Sequence, residues 1–360
     1  MSNSGSTTSV VKTGTGRWTI SGTNTHTGKT TLQEGILAFG NNNAFGNSTL
    51  DLWGGTIQSS DATARTISNA VTVSGDTTFG GTGDLLFTGA VAAGTFPKTF
   101  IVQNARTEFS GVISGSGPRT KAGAGTLVLS GSNTYTGPTT VSAGTLRVDG
   151  SLAAASAVTV ESGGTVTGSG TIHGPVSFAS GGALGWSLAE NSETAGKLST
   201  GGVTVSGGAV IDLVFDTPGS TVDFSAPFWT SIHTWPVLTS GGMAGLFTLG
   251  SVGNDPAGRV LADYGTFYLQ QSPQGVSVFF APIGLVPPDP PSGFTATATD
   301  RGVLLAWNES EGTAGYLVLR SVAPGGPYET IATVVSGTSY LDEDALNGTT
   351  YYYAVAASNP

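Results

Sequence analysis

The 360-residue chain contains no cysteine and few charged side chains. The absence of cysteine excludes disulfide bonds, thiolate zinc sites and cysteine nucleophiles. Charged residues make up 10% of the chain, against about 25% in an ordinary globular domain, which argues against coiled coils and helical bundles. The net charge of -10, with only 13 Lys and Arg, is unsuited to neutralising nucleic-acid phosphates. No apolar run reaches the ~20 residues of a membrane-spanning helix.

The N-terminal segment Met1–Val10 is rich in Ser and Thr and has no apolar stretch typical of a secretory signal. The chain is therefore either cytosolic or a piece of a longer polypeptide, and its repeats favour the second interpretation. Its 56 glycines lack the triplet period of collagen. With 38% hydrophobic residues, the chain has enough apolar surface for a folded core, which argues against intrinsic disorder.

An internal repeat is the strongest feature of the sequence. Residues 14–37 read GTGRWTISGTNTHTGKTTLQEGIL, and residues 123–146 read GAGTLVLSGSNTYTGPTTVSAGTL. Of the 24 aligned positions 12 are identical, and Lys12 and Lys121 each stand two positions before a copy. Self-similarity of this kind indicates stacked units. At one aligned position His26 replaces Tyr135, which suggests a tolerant, outward-facing side chain.

Short strands rich in Val, Ile, Leu, Thr and Phe run through and between the copies. The clearest are Thr126–Ser130, Thr139–Val141, Thr145–Val148, Val158–Val160, Thr165–Thr167 and Val203–Val205. Their connections are too short for βαβ crossovers. A parallel β-solenoid of roughly ten to a dozen coils explains the pattern, since Gly permits tight corners and coils stack at strand spacing. The aligned Asn24 and Asn133 can bond backbone groups at such corners.

Residues 125–146 resemble the autotransporter-associated β-strand repeat of passenger domains. Gly111–Gly117 resembles the lead-in of that repeat, and residues 150–172 resemble its lead-out. The resemblance implies a right-handed parallel β-helix that is exported by a Gram-negative bacterium and displayed at its surface. It implies a scaffold and no particular activity.

The composition changes after residue 206, where large aromatic residues become frequent. They include Phe224, Phe228, Trp229, Trp235, Phe247, Phe267, Phe279 and Phe280. Because an open solenoid end exposes unpaired strand edges, we interpret residues 1–284 as a β-helix with a C-terminal cap at about 206–284. The proline-rich residues 285–291 then form a stiff linker.

Residues 292–360 resemble a fibronectin type III domain. The predicted strands are Phe294–Thr299, Val303–Trp307, Tyr316–Arg320, Tyr328–Val334 and Thr350–Ala357. Trp307 stands where that family has its core tryptophan, and the spacing of Leu346 and Tyr352 resembles a tyrosine corner. We expect this domain to be truncated before its last strand. The predicted fold class is therefore all-β, a right-handed parallel β-helix (β-solenoid) followed by an incomplete fibronectin type III β-sandwich.

Three motifs resemble ligand sites but depart from the required spacing. Gly22–Thr30 has five residues between its glycines, whereas a phosphate loop has four. Gly80–Asp84 resembles a calcium-binding solenoid turn, but its Asp comes one residue early. Asp342–Gly348 begins like an EF-hand loop and lacks the final Glu, so at most it would bind calcium weakly. We interpret all three as turns and predict no cofactor and no metal site.

Catalysis has little support in the sequence. No G-x-S-x-G elbow occurs, and His26, His173 and His233 lie far apart along the chain. A β-helix lyase or hydrolase would need paired carboxylates on one face, and the acidic residues of 1–200 are mostly isolated. They are Glu34, Asp51, Asp61, Asp76, Asp84, Glu108, Asp149, Glu161, Glu190 and Glu193. We predict no catalytic residue and no enzymatic activity.

Glycan contact is the ligand chemistry that the sequence favours most. Trp229, His233 and Trp235 alternate along one predicted strand face, and exposed rings can stack on sugars, although aromatic residues in a cap are more often core. We expect an extracellular, surface-displayed, adhesin-like spacer with glycans or cell-surface proteins as partners, and neither nucleic acid nor a membrane span. The alternative is a glycan-binding or polysaccharide-degrading β-helix protein.

Overall fold

The computed structural model describes residues 7–188, 195–215, 224, 226–253, 264–282, 289–310, 313, 315–324, 328–334 and 336–358. In this part of the chain, 36 strands and one short 3-10 helix form an all-β protein. The chain divides into two units, the first Met1–Pro218 with Pro236–Asn254 and Gly275–Ser277, the second Gly219–Trp235 with Asp255–Gln274 and Val278–Pro360. Among the described residues no helix is long and apolar enough to cross a bilayer.

The first unit is a parallel β-solenoid of about nine turns. Its strands are short because each one ends where the coil turns a corner. In chain order they are β1 Val10–Lys12, β2 Arg17–Ile20, β3 Thr30–Leu32, β4 Ile36–Phe39, β5 Leu50–Leu52, β6 Thr56–Ser59, β7 Arg65–Ile67, β8 Val71–Val73, β9 Thr77–Gly80, β10 Leu85–Phe87, β11 Val91–Ala92, β12 Lys98–Val102, β13 Arg106–Phe109, β14 Ile113–Ser114, β15 Arg119–Ala122, β16 Thr126–Leu129, β17 Thr139–Val141, β18 Gly144–Val148, β19 Ser151–Leu152, β20 Val158–Val160, β21 Gly164–Thr167, β22 Thr171–Phe178, β23 Ala183–Leu188, β24 Leu198–Val205 and β25 Val210–Phe215.

Successive strands lie in different sheets, so the chain winds into coils. A six-stranded sheet has the order β1-β3-β5-β8-β11-β14, a fifteen-stranded sheet begins β2-β4-β6-β9-β12-β15-β17-β20-β22-β24, and a nine-stranded sheet contains β7-β10-β13-β16-β18-β21-β23-β25. Val10 is aligned with Thr30 and Thr30 with Leu50, all in parallel, so these two coils have equal length. The predicted parallel β-solenoid is confirmed.

Side-chain alternation gives each coil an apolar interior. In β12, for example, Phe100 and Val102 are buried. Phenylalanines from several coils pack together inside: the Phe87 and Phe109 rings stack with centroids 4.7 Å apart, and Phe79 meets Phe109 edge-on at 5.6 Å. Aromatic packing therefore begins well before residue 206, which the change in composition did not indicate.

The coils lengthen towards the C-terminal part of the solenoid. Val158 is aligned with Val176, whereas Val176 is aligned with Val203, so the second of these coils takes a much longer stretch of chain than the first. Longer coils explain why the solenoid has about nine turns, fewer than a uniform coil length predicts.

Aromatic side chains of the second unit form a buried cluster. This unit contains the 3-10 helix Pro227–Thr230, the strand β29 Gly265–Ser272, and parts of the strands β26 His233–Ser240 and β30 Gly275–Pro282. The strands β27 Met243–Ala244 and β28 Thr248–Gly253 belong to the first unit. Trp229 packs edge-on against Phe280 with centroids 4.9 Å apart, and Phe267 lies 5.0 Å from Phe280. The cap at 206–284 stays a prediction, and the linker 285–291 lies partly outside the described residues.

Residues 295–358 form two antiparallel three-stranded sheets. The strands are β31 Thr295–Thr299, β32 Gly302–Ala306, β33 Gly315–Ser321, β34 Glu329–Val334, β35 Ser339–Asp342 and β36 Tyr352–Ser358. The orders β31-β32-β35 and β34-β33-β36 enclose a core of Leu305, Trp307, Tyr316 and Val318. Sequence analysis missed β35, because its four residues carry little apolar pattern. The fibronectin type III identity and the missing last strand stay predictions.

The predicted tyrosine corner involves a different tyrosine. The backbone N–H of Leu346 donates to the Tyr351 hydroxyl at 3.4 Å, whereas the prediction named Tyr352. The prediction was one residue out because residues 351, 352 and 353 are all tyrosines. The Tyr351 ring also lies under the Arg320 guanidinium, 4.9 Å from its carbon.

A buried carboxylate connects the two sheets of residues 295–358. Arg320 on β33 donates to both oxygens of Asp342 on β35, at 3.1 and 3.0 Å. The Tyr353 hydroxyl on β36 donates to Asp342 at 2.7 Å, and burial together with this bond raises the pKa of Tyr353. Asp342 is 1% exposed, so the EF-hand-like segment starts with a carboxylate that is already engaged.

Asp342→Asn should loosen these sheets, because Arg320 would lose its counter-ion in a largely buried place. We expect a loss of about 3 kcal/mol, seen as roughly hundredfold faster amide exchange in β33 and β36. Hydrogen exchange with mass spectrometry on the full chain measures this. Glu343→Gln is the control, since Glu343 pairs with Arg301 at the surface. Equal exchange in both variants would contradict the role of Asp342.

Candidate functional site

The three residues predicted to contact glycans are packed inside the second unit. Trp229 lies in the 3-10 helix and is 1% exposed, while His233 and Trp235 alternate on the buried side of β26. The His233 ring stacks on Phe228 with centroids 3.9 Å apart. Only His233 and Trp235 share a strand face, which corrects the predicted face of three. Glycan contact at these residues stays a prediction, and their burial does not support it.

Two of the three motifs that resemble ligand sites are corners of coils. In Gly22–Thr30, Lys29 pairs with Asp51 at 3.6 Å. A Cβ on Gly28 would lie 2.3 Å from the Thr8 carbonyl oxygen, so glycine permits close backbone approach there. Gly80–Asp84 is the bend between β9 and β10. Across the described ranges, no group of three or more His, Asp or Glu is arranged to hold a metal ion.

Several carboxylates of the solenoid are engaged in ion pairs. The pairs are Asp51–Lys29, Asp61–Arg65, Glu108–Arg106 and Asp149–Arg147. Asp61 also accepts the Thr63 N–H at 2.8 Å, and this bond is the main reason that the pKa of its carboxyl falls to about 2. Glu190 and Glu193 lie outside the described residues. The absence of catalytic residues stays a prediction.

Each copy of the repeat has a buried lysine whose ammonium group bonds backbone carbonyl oxygens. Sequence analysis missed this role. In both copies the ammonium group donates to two carbonyl oxygens just after the lysine and to a third, 22 positions further along the chain. The acceptors are Thr13, Gly14 and Glu34 for Lys12, and Ala122, Gly123 and Ala143 for Lys121. Both lysines are 1% exposed. We term this arrangement the lysine clasp.

The clasp ties one corner to the corresponding corner of the next coil. Its third acceptor lies on the neighbouring coil, so each ammonium group joins the backbones of two coils. Burial lowers the pKa of the Lys121 amine to about 8, since a low-dielectric interior disfavours the charge. The signal available in the sequence was the pair Lys12 and Lys121, equally placed before both copies in a chain with few cations.

The aligned asparagines bond the backbone at corners, as predicted. The Asn24 amide donates to the carbonyl oxygens of Gly22 and Ala44, at 3.2 and 2.8 Å. Asn133 donates to Gly131, the equivalent of Gly22, at 2.9 Å. A side-chain amide thus stands in for backbone partners where the chain leaves one strand for the next.

His26 and Tyr135 face the interior, so the predicted outward position is wrong. They are 0% and 1% exposed. His26 Nε2 lies 2.8 Å from Thr30 Oγ1, and the Tyr135 hydroxyl lies 3.0 Å from Thr139 Oγ1. In a sequence, two different polar residues at one aligned position suggest that the position tolerates substitution. In the structure, each side chain contacts the hydroxyl of the aligned buried threonine, which is Thr30 in one copy and Thr139 in the other.

A chain of hydrogen bonds assigns the His26 tautomer. Ser48 Oγ donates to the Phe45 carbonyl at 2.7 Å, so it accepts from Thr30 Oγ1 at 3.0 Å. Thr30 therefore accepts from His26, which places the proton on Nε2. His26 Nδ1 is buried without a hydrogen-bond partner. Burial lowers the pKa of this imidazole, because a second proton would create an unpaired charge there.

The two copies of the repeat lie on different faces of the solenoid. Lys12 is in β1, a strand of the six-stranded sheet, whereas Lys121 is in β15, a strand of the fifteen-stranded sheet. The six-stranded sheet runs in five steps from β1 to β14, and β15 follows on the next face. Along the chain, the second copy therefore begins five complete coils and one further face after the first. The same motif therefore forms at the corner that follows the six-stranded sheet and at the corner that follows the fifteen-stranded sheet.

A sequence model of the family described as the passenger-associated-transport-repeat matches residues 10–39 and 120–148. Both matches contain a lysine clasp. Among curated proteins, the amylopullulanase of Thermoanaerobacterium saccharolyticum is 42% identical over 73 residues, 20% of this chain and 6% of that protein. The amylopullulanase of Thermoanaerobacterium thermosulfurigenes is 40% identical over 73 residues, 20% of this chain and 4% of that protein.

One solved structure is similar to a short part of the chain. It is the crystal structure of a Fn3-like protein from Clostridium thermocellum, 43% identical, with 19% of this chain and 75% of that chain covered at a TM-score of 0.19. The chain spans only about 6% or less of the length of the amylopullulanases named above. These partial likenesses leave the solenoid and its repeats as the basis for a functional proposal.

Lys121→Met should destabilise the solenoid, because it keeps an unbranched side chain but removes the donor to three partly buried carbonyl oxygens. We expect the free energy of unfolding to fall by about 3 kcal/mol, measured by chemical denaturation of the full chain at pH 7. Lys29→Met is the matched control, since Lys29 is 63% exposed and should contribute less than about 0.5 kcal/mol. Equal losses in the two variants would show that the clasp does not matter.

The stability of the wild-type chain should decline between pH 7.5 and pH 5, in part through His26. Its folded pKa lies below the ordinary value of 6.5, so the unfolded chain binds more protons below that pH. The contribution of His26 to stability is therefore fully present above pH 6.5 and is lost as the pH falls through its folded pKa. His26→Tyr, which copies the arrangement of Tyr135, should reduce the decline. Thermal unfolding at three pH values tests this, and an unchanged decline in the variant would refute it.

Proposed function

We propose that this chain is a non-enzymatic, passenger-type structural protein displayed on the cell surface. The observation that carries the proposal is that both matches to the passenger-associated-transport-repeat coincide with the two lysine clasps of the solenoid. The repeat is thus a device for holding coils together, and the function it serves is mechanical. The solenoid acts as a rigid spacer that holds other parts of the polypeptide away from the surface.

The backbone ladder supports this mechanical function. Consecutive coils are bonded strand to strand and also at their corners: the Trp53 N–H donates to the Leu32 carbonyl at 2.9 Å, and the Ser74 N–H to the Leu52 carbonyl at 2.7 Å. Each coil contacts only its neighbours, so stiffness accumulates along the stack. A low content of charge and an exterior rich in Thr and Ser leave few sites for non-specific binding.

We further propose that the protein is exported by a Gram-negative bacterium. The passenger-type repeat supports this, and a chain without cysteine does not depend on disulfide formation outside the cytoplasm. Adhesion to glycans or to other surface proteins would then be a property of particular exposed residues and not of the solenoid as a whole.

The second candidate function is a glycan-binding or polysaccharide-degrading β-helix protein. The amylopullulanases match a segment of 73 residues that is 6% or less of their own length, so their activity is not carried over to this chain. Ion-paired carboxylates such as Asp61 and Asp149 favour a structural role over general acid–base catalysis.

Surface labelling tests the proposal directly. Antibodies raised against the full chain should label intact cells of the native host, and protease added to intact cells should remove the signal. A cytoplasmic enzyme serves as the control and should be labelled only after permeabilisation. If the chain behaved like that control, surface display would be wrong.

A further inference from the structure

The first coil of the solenoid leaves part of the core uncovered. Trp18 on β2 is 49% exposed. Its register partner on β4 is Leu37, which is fully buried. Its equivalent in the second copy of the repeat is Leu127, which is 3% exposed. Trp18 therefore occupies a core position that is covered on one side and open on the other.

The second copy of the repeat shows what covers this position. Strand β16, which carries Leu127, lies between β13 and β18 in the nine-stranded sheet. Strand β13 belongs to the preceding coil and places Thr107 beside Leu127. Among the described residues, β2 ends the fifteen-stranded sheet and has β4 as its neighbour on one side. The comparison identifies the missing cover of Trp18 as a strand along the other side of β2, which we term the free edge.

The free edge of β2 directs backbone groups towards its open side. In the second copy, the N–H groups of Thr126 and Ser130 donate to carbonyl oxygens of the preceding coil, at 3.0 and 3.1 Å. The aligned residues of the first copy are Arg17 and Ser21. Because the bonding side alternates along a strand, Thr19 faces the same side as these two residues. The groups available for pairing are therefore spaced symmetrically about Thr19.

The charge at this end of the solenoid does not oppose a second copy. Residues 7–28 contain no carboxylate, and their two cations are Lys12 and Arg17. Lys12 is buried in its clasp. The Arg17 guanidinium donates to the Ser60 carbonyl oxygen at 3.1 Å. Since Ser60 follows β6, two coils beyond β2, this bond directs the charge away from the free edge.

We propose that the free edge of β2 binds the free edge of a second copy of this chain, about a two-fold axis at Thr19. The two β2 strands pair antiparallel, and the two Thr19 residues exchange both of their backbone hydrogen bonds. Arg17 of one copy then lies opposite Ser21 of the other, and Trp18 lies opposite Ile20. An exposed strand edge is a template for pairing with another chain, and the two-fold arrangement pairs both edges at once.

The arrangement suits the side chains as well as the backbone. Trp18 of each copy covers the half-buried Ile20 of the other, so both open core positions become buried together. The two Arg17 residues lie four positions apart along the paired strands, a distance of about 13 Å. This distance exceeds the screening length of about 8 Å at physiological ionic strength. The pairing goes beyond the spacer function and does not depend on it.

Sedimentation velocity of the full chain should show a monomer–dimer equilibrium between about 1 and 100 µM, because a small interface gives modest affinity. Trp18→Ala should weaken dimerisation at least about tenfold, since it removes the aromatic anchor from both sides of the interface. Trp53→Ala is the matched control. Trp53 is 57% exposed and follows β5, two coils away from the first, so its loss should leave dimerisation unchanged.

Two further variants test the geometry at Thr19. Proline is tolerated on an edge strand where its N–H faces solvent, so Thr19→Pro should remain folded by circular dichroism and stay monomeric. Thr19→Cys should form a disulfide-linked dimer on mild oxidation, because paired residues that exchange both hydrogen bonds have Cα atoms about 5.5 Å apart. Thr159→Cys is the control, since Thr159 is exposed on β20 in the middle of the solenoid, and it should remain largely monomeric.

A chain that stays monomeric at the highest of these concentrations would overturn the proposal. Equal dimerisation of Trp18→Ala and wild type, or dimerisation of folded Thr19→Pro, would also overturn it. So would assembly beyond the dimer, because two-fold pairing leaves no further free edge of β2. Surface labelling of cells does not involve this edge, so failure of the dimer and failure of the spacer function are distinguishable.

Discussion

The structure depends on hydrogen bonds between neighbouring coils. A parallel solenoid pairs its backbone along the strands, but every corner leaves carbonyl and N–H groups that the ladders do not reach, and buried groups of this kind must find partners. The lysine clasps of Lys12 and Lys121 and the amides of Asn24 and Asn133 supply those partners from side chains. Polar residues thus face inward in a chain that has few charges. The apolar core, including the Phe79, Phe87 and Phe109 rings, fills the space between the corners.

The repeat is local because these hydrogen bonds are local. Each clasp involves one corner and the next coil, so the motif works wherever two coils stack. This explains how two copies occur five coils apart on different faces. It also explains the exchange of His26 for Tyr135, since Thr30 and Thr139 offer the same hydroxyl partner. The motif therefore specifies the stacking of a coil.

Much of the solenoid is predictable from sequence, because strand length, glycine corners and the repeat act over short distances. Strands such as Thr139–Val141 and Val158–Val160 agree with the structure. The sequence could not show which polar residues face inward, since burial of Lys12, Lys121 and His26 depends on partners one coil away. The candidate site was misjudged for a related reason. Trp229, His233 and Trp235 form an aromatic run, but whether a ring is core or surface depends on packing from distant residues. Trp53 and Phe96, isolated in the sequence, are among the rings that the structure exposes.

A stiff solenoid keeps the spacing of its coils constant. Thr31 and Ser114 occupy the same outward column of the six-stranded sheet, four coils apart. Because the chain has no native cysteine, Thr31→Cys with Ser114→Cys allows spin labels at these two positions alone. Pulsed electron paramagnetic resonance should give one narrow distance distribution, consistent with backbones about 19 Å apart. A broad distribution, or one centred far from that spacing, would contradict the account.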